Sequence, residues 1–182
     1  MRLAQGPARK APPEAPPWDI GFADVVTALN LVAGVFATYE AMLGRTTLAT
    51  ILVAAAMAFD FLDGKVARLL KQEHALGREL DSLADMVSFG VAPSIILLQL
   101  YGFGVLILAA AAVYAVAGAL RLARFNLLAA AGEKGYFLGV PIPAAAFLLL
   151  ASSFLGLAAW LQALVMAALA ALMVSDLRIQ KP

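Results

Sequence analysis

Asp60-x-x-Asp63-Gly64-x-x-Ala67-Arg68, followed after eight residues by Gly77-x-x-x-Asp81-x-x-x-Asp85, sets four carboxylates at helical spacing inside a strongly apolar chain. An ionised Asp at the centre of a bilayer helix costs about 2.5–3.5 kcal/mol on insertion scales, so an intramembrane acid marks a functional site by default. Four in register on neighbouring segments require compensation. A divalent cation is the simplest source of it.

The surrounding composition defines the solvent. Of 182 residues, 63% are hydrophobic and 14% charged, with mean hydropathy +0.89; a soluble domain carries about 25% charged residues. Residues 86–120 and 135–175 contain no charged side chain. A span needs about 20 apolar residues, so the second stretch has room for two, with Gly139, Pro141, Pro143 and Gly156 as natural end points. The predicted fold is an all-α integral membrane protein with six transmembrane helices, near 25–43, 46–70, 77–100, 103–130, 138–155 and 157–177.

Residues 1–17 are Pro-rich and mixed in charge, fit no signal peptide, and are expected to form a flexible tail. Trp18 with Ile20 to Val25 suits a short interfacial helix, the indole at headgroup level. Residues 18–178 then form one six-helix transmembrane catalytic domain, and 179–182 a C-terminal tail. The absence of Cys excludes disulfides and thiolate metal sites. The single His74, in a polar turn, excludes a His-based one and reads as solvated. A net charge of +1 says little by itself, and no nucleic-acid partner is expected.

Orientation follows from the cations. Arg2, Arg9, Lys10, Lys65, Arg68, Lys71, Arg78, Arg121, Arg124, Lys134, Arg178 and Lys181 fall on one side of the predicted spans, and only Arg45 on the other. The positive-inside rule places both termini and the motif loop in the cytoplasm, in agreement with an even number of spans. Ala109–Ala112 and Ala167–Ala171 suit close helix packing in lipid, and no repeat of 20–50 residues is visible.

Positions 60, 63, 64, 67 and 68 share one helical face, as do Gly77, Asp81 and Asp85. The polar turn from Lys71 to Ala75 is short, so the two helices are expected to run antiparallel with these faces opposed. Asp60 lies fourteen residues past Thr46, roughly 21 Å along a helix that crosses a core about 30 Å thick. The acids thus belong to the inner third of the membrane, near lipid phosphates. Hard oxygen ligands without His or Cys select Mg²⁺, Mn²⁺ or Ca²⁺, and several carboxylates suit a pair of ions clamping phosphoryl oxygens. Gly64 and Ala67 clear bulk from the same face, and Arg68 offers a planar fork for phosphate. A structural network pairing the acids with Lys65, Arg68 and Arg78 would explain the charges but not the small residues among them.

The complete string resembles the signature of the CDP-alcohol phosphatidyltransferases, with every fixed position present. The likeness covers nearly all of residues 20–178 and implies that family's fold, with exchange of CMP on a CDP-linked lipid for an alcohol and a divalent cation, Mg²⁺ or Mn²⁺, required. Carried over by position, it implies that Asp60, Asp63, Asp81 and Asp85 coordinate two metal ions and that Asp85 is also the general base. Gly64, Ala67, Arg68 and Gly77 would line the cytidine-diphosphate pocket. Thr27 and Asn30 match a T-x-x-N of many members and would face the nucleotide phosphates. The family tends to be homodimeric.

Three further strings resemble the phosphatidylserine synthase branch: Ser82 to Pro93, Arg121-Leu122-Ala123-Arg124-Phe125-Asn126, and Phe137 to Ala145 with Pro141 and Pro143. They imply CDP-diacylglycerol and L-serine as substrates, with phosphatidylserine and CMP as products, in a prokaryotic inner or cell membrane. Arg121 and Arg124 are candidates for the serine carboxylate or a lipid phosphate, and also suit positive-inside anchors. Ser88 and Asn126 are candidates for substrate contact or for helix packing. Other acceptors (glycerol phosphate, inositol phosphate or choline) or an archaeal ether lipid are the alternatives within the family. A cation transporter is the alternative outside it, disfavoured because the core acids all lie on one side of the membrane and no repeat is visible.

Overall fold

Seven α-helices and one π-helical turn carry most of the described residues (20–70, 75–130, 136–176 and 178–180) of a computed structural model. Helix α1, Phe22–Met42, opens with the Gly21 amide donating to the Asp24 carboxylate at 2.7 Å. That bond satisfies a donor the helix leaves open and sets an acid at the positive end of its dipole. Helix α2, Thr46–Leu70, returns along α1. Buried small residues on both, Ala33, Ala37 and Ala41 against Ala49, Val53 and Ala56, let the backbones approach closely.

Helix α3, Ala75–Asp85, runs through the π turn Met86–Val91 into α4, Ala92–Tyr101. Helix α5 is Val105–Ala130, α6 Ile142–Ser153 and α7 Ala159–Val174. Helix α1 packs against α3, the π turn and α4; α5 lies along α7; α6 touches α7, α4 and the π turn. Two three-residue strands, β1 (Tyr136–Leu138) and β2 (Arg178–Gln180), pair antiparallel, with Tyr136 opposite Gln180 and Leu138 opposite Arg178. They tie the chain before α6 to the chain after α7 and are absent from the all-helical expectation.

The protein is a helical integral membrane protein. Among the described residues, four helices are long and apolar enough to cross a bilayer: Phe22–Met42, Thr46–Leu70, Leu76–Tyr101 and Val105–Ala129. The remaining two fall short of the lengths expected from residues 138–155 and 157–177. Helix α6 has 12 residues and α7 has 16, spanning roughly 18 and 24 Å at 1.5 Å per residue. Helix α6 starts late because Gly139 is left-handed (φ +72°) and Pro141 is its extended N-cap. It stops early where the hydroxyls of Ser152 and Ser153 take the Leu149 and Leu150 carbonyls.

A separate interfacial helix over Ile20 to Val25 is not seen, because Phe22 already begins α1. Trp18, the tail 1–17, the turn residues 71–74 with His74, and residues 181–182 lie outside the described residues.

Candidate active site

The last turns of α2 carry Asp60 and Asp63, and α3 carries Asp81 and Asp85. One carboxylate oxygen each from Asp60, Asp63 and Asp81 lies within 4.8 Å of the other two. The opposed acidic faces expected from the spacing therefore do meet. The helix backbones behind them have little contact with each other, and α1 is the element packed against both. Its buried stripe Asp24, Thr27, Asn30 floors the gap.

Asp85 is buried like Asp63, the two being 6% and 5% exposed. Its Oδ1 accepts from Asn30 Nδ2 at 3.3 Å, and Asp60 stands beside it. The Arg121 guanidinium of α5 is near enough to Asp60 and Asp85 for their charges to interact. Thr27 donates to the Ala23 carbonyl at 3.2 Å and flanks Asp63. Asp24 is also close enough to Asp63 for charge interaction. A first span beginning near residue 25 leaves Asp24 out, yet its i, i+3, i+6 spacing to Thr27 and Asn30 puts it on their helical face.

Four buried atoms here have no hydrogen-bond partner among the described residues: Asp63 Oδ2, Asp81 Oδ1, Asn30 Oδ1 and Arg121 Nε. Buried polar atoms in proteins are ordinarily satisfied, and unpaired carboxylates gathered in a poorly solvated site repel one another. Oxygen donors converging with open lone pairs fit a hard divalent cation. Three of these orphans are acceptors, while Arg121 offers an unpaired donor at the rim, a combination that suits a metal-bound anionic ligand.

The other predicted positions divide. Gly64 is exposed, and a Cβ there would meet nothing within 4 Å, so the α2 backbone is open to a ligand. Ala67 and Gly77 are half-buried. Arg68 is exposed, its Nε donating to the Gly64 carbonyl at 2.9 Å. Ser88 is fully buried and donates to the Asn30 carbonyl at 3.0 Å, a helix-packing contact with α1. Asn126 bridges to α3, donating to Ser82 at 3.0 Å and Glu79 at 3.3 Å. Arg124 faces the end of α7, paired with Asp176 and donating to the Val174 carbonyl at 3.5 Å. Of the two arginines, only Arg121 is joined to the acidic cluster.

Comparison with known proteins gives a matching context. The family model for the CDP-alcohol phosphatidyltransferase domain matches residues 21–175. The chain is 42% identical over 129 residues to the CDP-diacylglycerol–serine O-phosphatidyltransferase of Helicobacter pylori, covering 70% of this chain and 54% of that one. The enzyme of that name from Methanocaldococcus jannaschii is 38% identical over 162 residues, 89% of this chain and 75% of the relative. The Bacillus subtilis one is 36% identical over 132 residues, 71% and 73%. The chain spans about half the length of the Helicobacter relative (54%).

Proposed function

We propose a reaction for this chain, which belongs to the CDP-alcohol phosphatidyltransferase family: transfer of the phosphatidyl group of CDP-diacylglycerol to the hydroxyl of L-serine, releasing CMP. The observation that carries it is the convergence of Asp60, Asp63 and Asp81 beside a buried Asp85, under an α2 backbone left open at Gly64. The names of the relatives support serine as the acceptor.

In this reading Asp60, Asp63, Asp81 and Asp85 would hold Mg²⁺ or Mn²⁺, two ions in all. Bound, the ions would neutralise charge on the pyrophosphate and on departing CMP. Gly64 and Ala67 give the diphosphate access to α2, with Arg68, Gly77, Thr27 and Asn30 around it. Asn30 orients Asp85 by the bond to Oδ1. Asp85 takes the proton of the serine hydroxyl as its oxygen bonds to the lipid-bearing phosphorus. The phosphorus–oxygen bond to CMP breaks, and CMP carries away that electron pair. Arg121, charged and facing Asp60 and Asp85, is placed to attract the serine carboxylate or a lipid phosphate.

The same proposal includes six spans, a cytoplasm-facing site in a prokaryotic membrane, and residues 18–178 as the catalytic domain. The distribution of Lys and Arg supports the orientation. A homodimer belongs to it on the family resemblance.

Purified protein with CDP-diacylglycerol and Mg²⁺ or Mn²⁺, assayed for CMP release, tests the reading. Release with serine, and not with glycerol 3-phosphate or inositol phosphate, is expected. Release only with another acceptor would overturn serine, and no release with any acceptor would overturn the transferase reading.

A further inference from the structure

The chain loses its α-helical hydrogen-bond register immediately after Asp85. Pro93 has no N–H to give the carbonyl four residues back, Phe89, and its ring would clash with that carbonyl in a regular helix. The backbone widens instead: Met86–Val91 is π-helical, and the Ala92 amide bonds to Val87, five residues earlier. Single π turns of this kind occur mostly inside α-helices and often at functional sites.

Two side chains take up carbonyls around the widened turn. Ser94 donates to Gly90 at 2.7 Å within the helix. Tyr114, from α5 and 0% exposed, donates to Phe89 at 3.1 Å. The phenol thus meets the carbonyl that Pro93 leaves without its helical donor. On the far side of the turn Ser88 donates to the Asn30 carbonyl, and the Asn30 amide holds Asp85. Asn30 is therefore held at its backbone carbonyl and at its side-chain NH2 by Ser88 and Asp85, residues in and just before the π turn.

We propose that Tyr114 is a positioning residue for Asp85: its hydroxyl, seated on the Phe89 carbonyl opposite Pro93, keeps Met86–Val91 in the π form that aims Asp85 and Ser88 at Asn30. Helix α4 is anchored by fully buried Ile96 and Leu97, so a change of register in the turn falls on α3. Returning the turn to α geometry removes about one residue of phase, roughly 100°. That rotation carries Asp81 and Asp85 away from α1 and α2. Tyr114 touches neither metal ligand nor substrate in this role and acts only through the turn.

The inference rests on Asp85 being the base, and two variants separate the claims. Tyr114→Phe is expected to lower kcat about tenfold, with KM for serine and CDP-diacylglycerol within about twofold of wild type. Pro93→Ala combined with Tyr114→Phe gives Phe89 a backbone donor again. This double variant is expected to recover the thermal stability lost in Tyr114→Phe while kcat stays low, because the turn closes to α geometry. Wild-type kcat in Tyr114→Phe would overturn the proposal, as would joint recovery of kcat and stability in the double variant. If Tyr114→Phe does not fold, the double variant decides alone. Asp85→Asn is assayed in parallel: activity retained there would remove the base, whereas activity lost there and kept in Tyr114→Phe removes only the positioning role.

Discussion

Asp85 combines burial, one oriented hydrogen bond from Asn30 and the nearby charges of Asp60 and Arg121. Asp85→Asn keeps its volume and can still offer a carbonyl oxygen to Asn30, but it cannot accept the serine proton. Turnover is expected to fall by about 10²–10⁴ with the unfolding midpoint of detergent-solubilised protein not lowered; near-normal turnover would remove Asp85 as base. Asp81 tests the cluster differently, because its Oδ1 is buried without a partner among like charges. In metal-free buffer Asp81→Asn should melt above wild type, since a repulsion is gone. It should also need more Mn²⁺ for half-maximal activity, and it should lose part of the metal-induced rise in melting temperature, about 2.7 kcal/mol in wild type at a hundredfold excess over Kd. Equal metal stabilisation of both proteins would argue against Asp81 as a ligand. The four aspartates were legible because helical period alone puts them on two faces. Arg124 was not: its partner Asp176 lies 52 positions away and enters only through the packing of α5 on α7.

At the scale of elements, glycines separate packing from function. A Cβ on Gly34 would lie 2.2 Å from Ser88 Oγ and 2.8 Å from Ser88 Cα, so α1 and the π turn would have to part. Gly34→Ala should destabilise by about 1–3 kcal/mol, as overpacked cores do. Gly64→Ala meets nothing within 4 Å and replaces a poor helix former, which favours the helix by about 0.8–1 kcal/mol. The same methyl stands where the diphosphate must approach, so KM for CDP-diacylglycerol should rise while the melting temperature holds or increases. Calorimetry and CMP-release kinetics on the two variants should give opposite signs; a fall in stability for Gly64→Ala with unchanged KM would contradict the open-backbone reading. Helix ends were readable to within a few residues for α1 to α5, where apolar runs stop at Gly or polar turns. Pro93 was the local signal for the π turn, but the Tyr114 hydroxyl on the Phe89 carbonyl and the β1–β2 pair were not readable, because each joins residues far apart in the chain.

For the whole molecule, the six expected spans compare with four helices of full length among the described residues. Helix α7, with 16 residues, and α6, with 12, meet at a tip where Phe154 and Leu155 are 78% and 72% exposed. Roughly 18 Å of α6 plus the Gly139–Pro141 lead-in approaches a hydrocarbon core of about 30 Å, and local thinning or tilt of neighbours absorbs modest mismatch. The cation count puts Arg45 alone outside, and the β1–β2 pair holds the chain before α6 beside the chain after α7, so α6 and α7 either cross as a pair or re-enter as a pair. The native chain has no Cys, so single-Cys variants report location without background. In intact cells, a membrane-impermeant maleimide should label Arg45→Cys, Phe103→Cys and Leu155→Cys. Ile20→Cys should label only after the membrane is opened. Labelling of Leu155→Cys from neither side would make α6 and α7 a re-entrant pair inserted from the cytoplasmic face, leaving the acidic site where it is and the span count at four. Labelling of Ile20→Cys from outside would invert the molecule, and would place the aspartates on the face opposite to a cytoplasmic nucleotide-lipid supply.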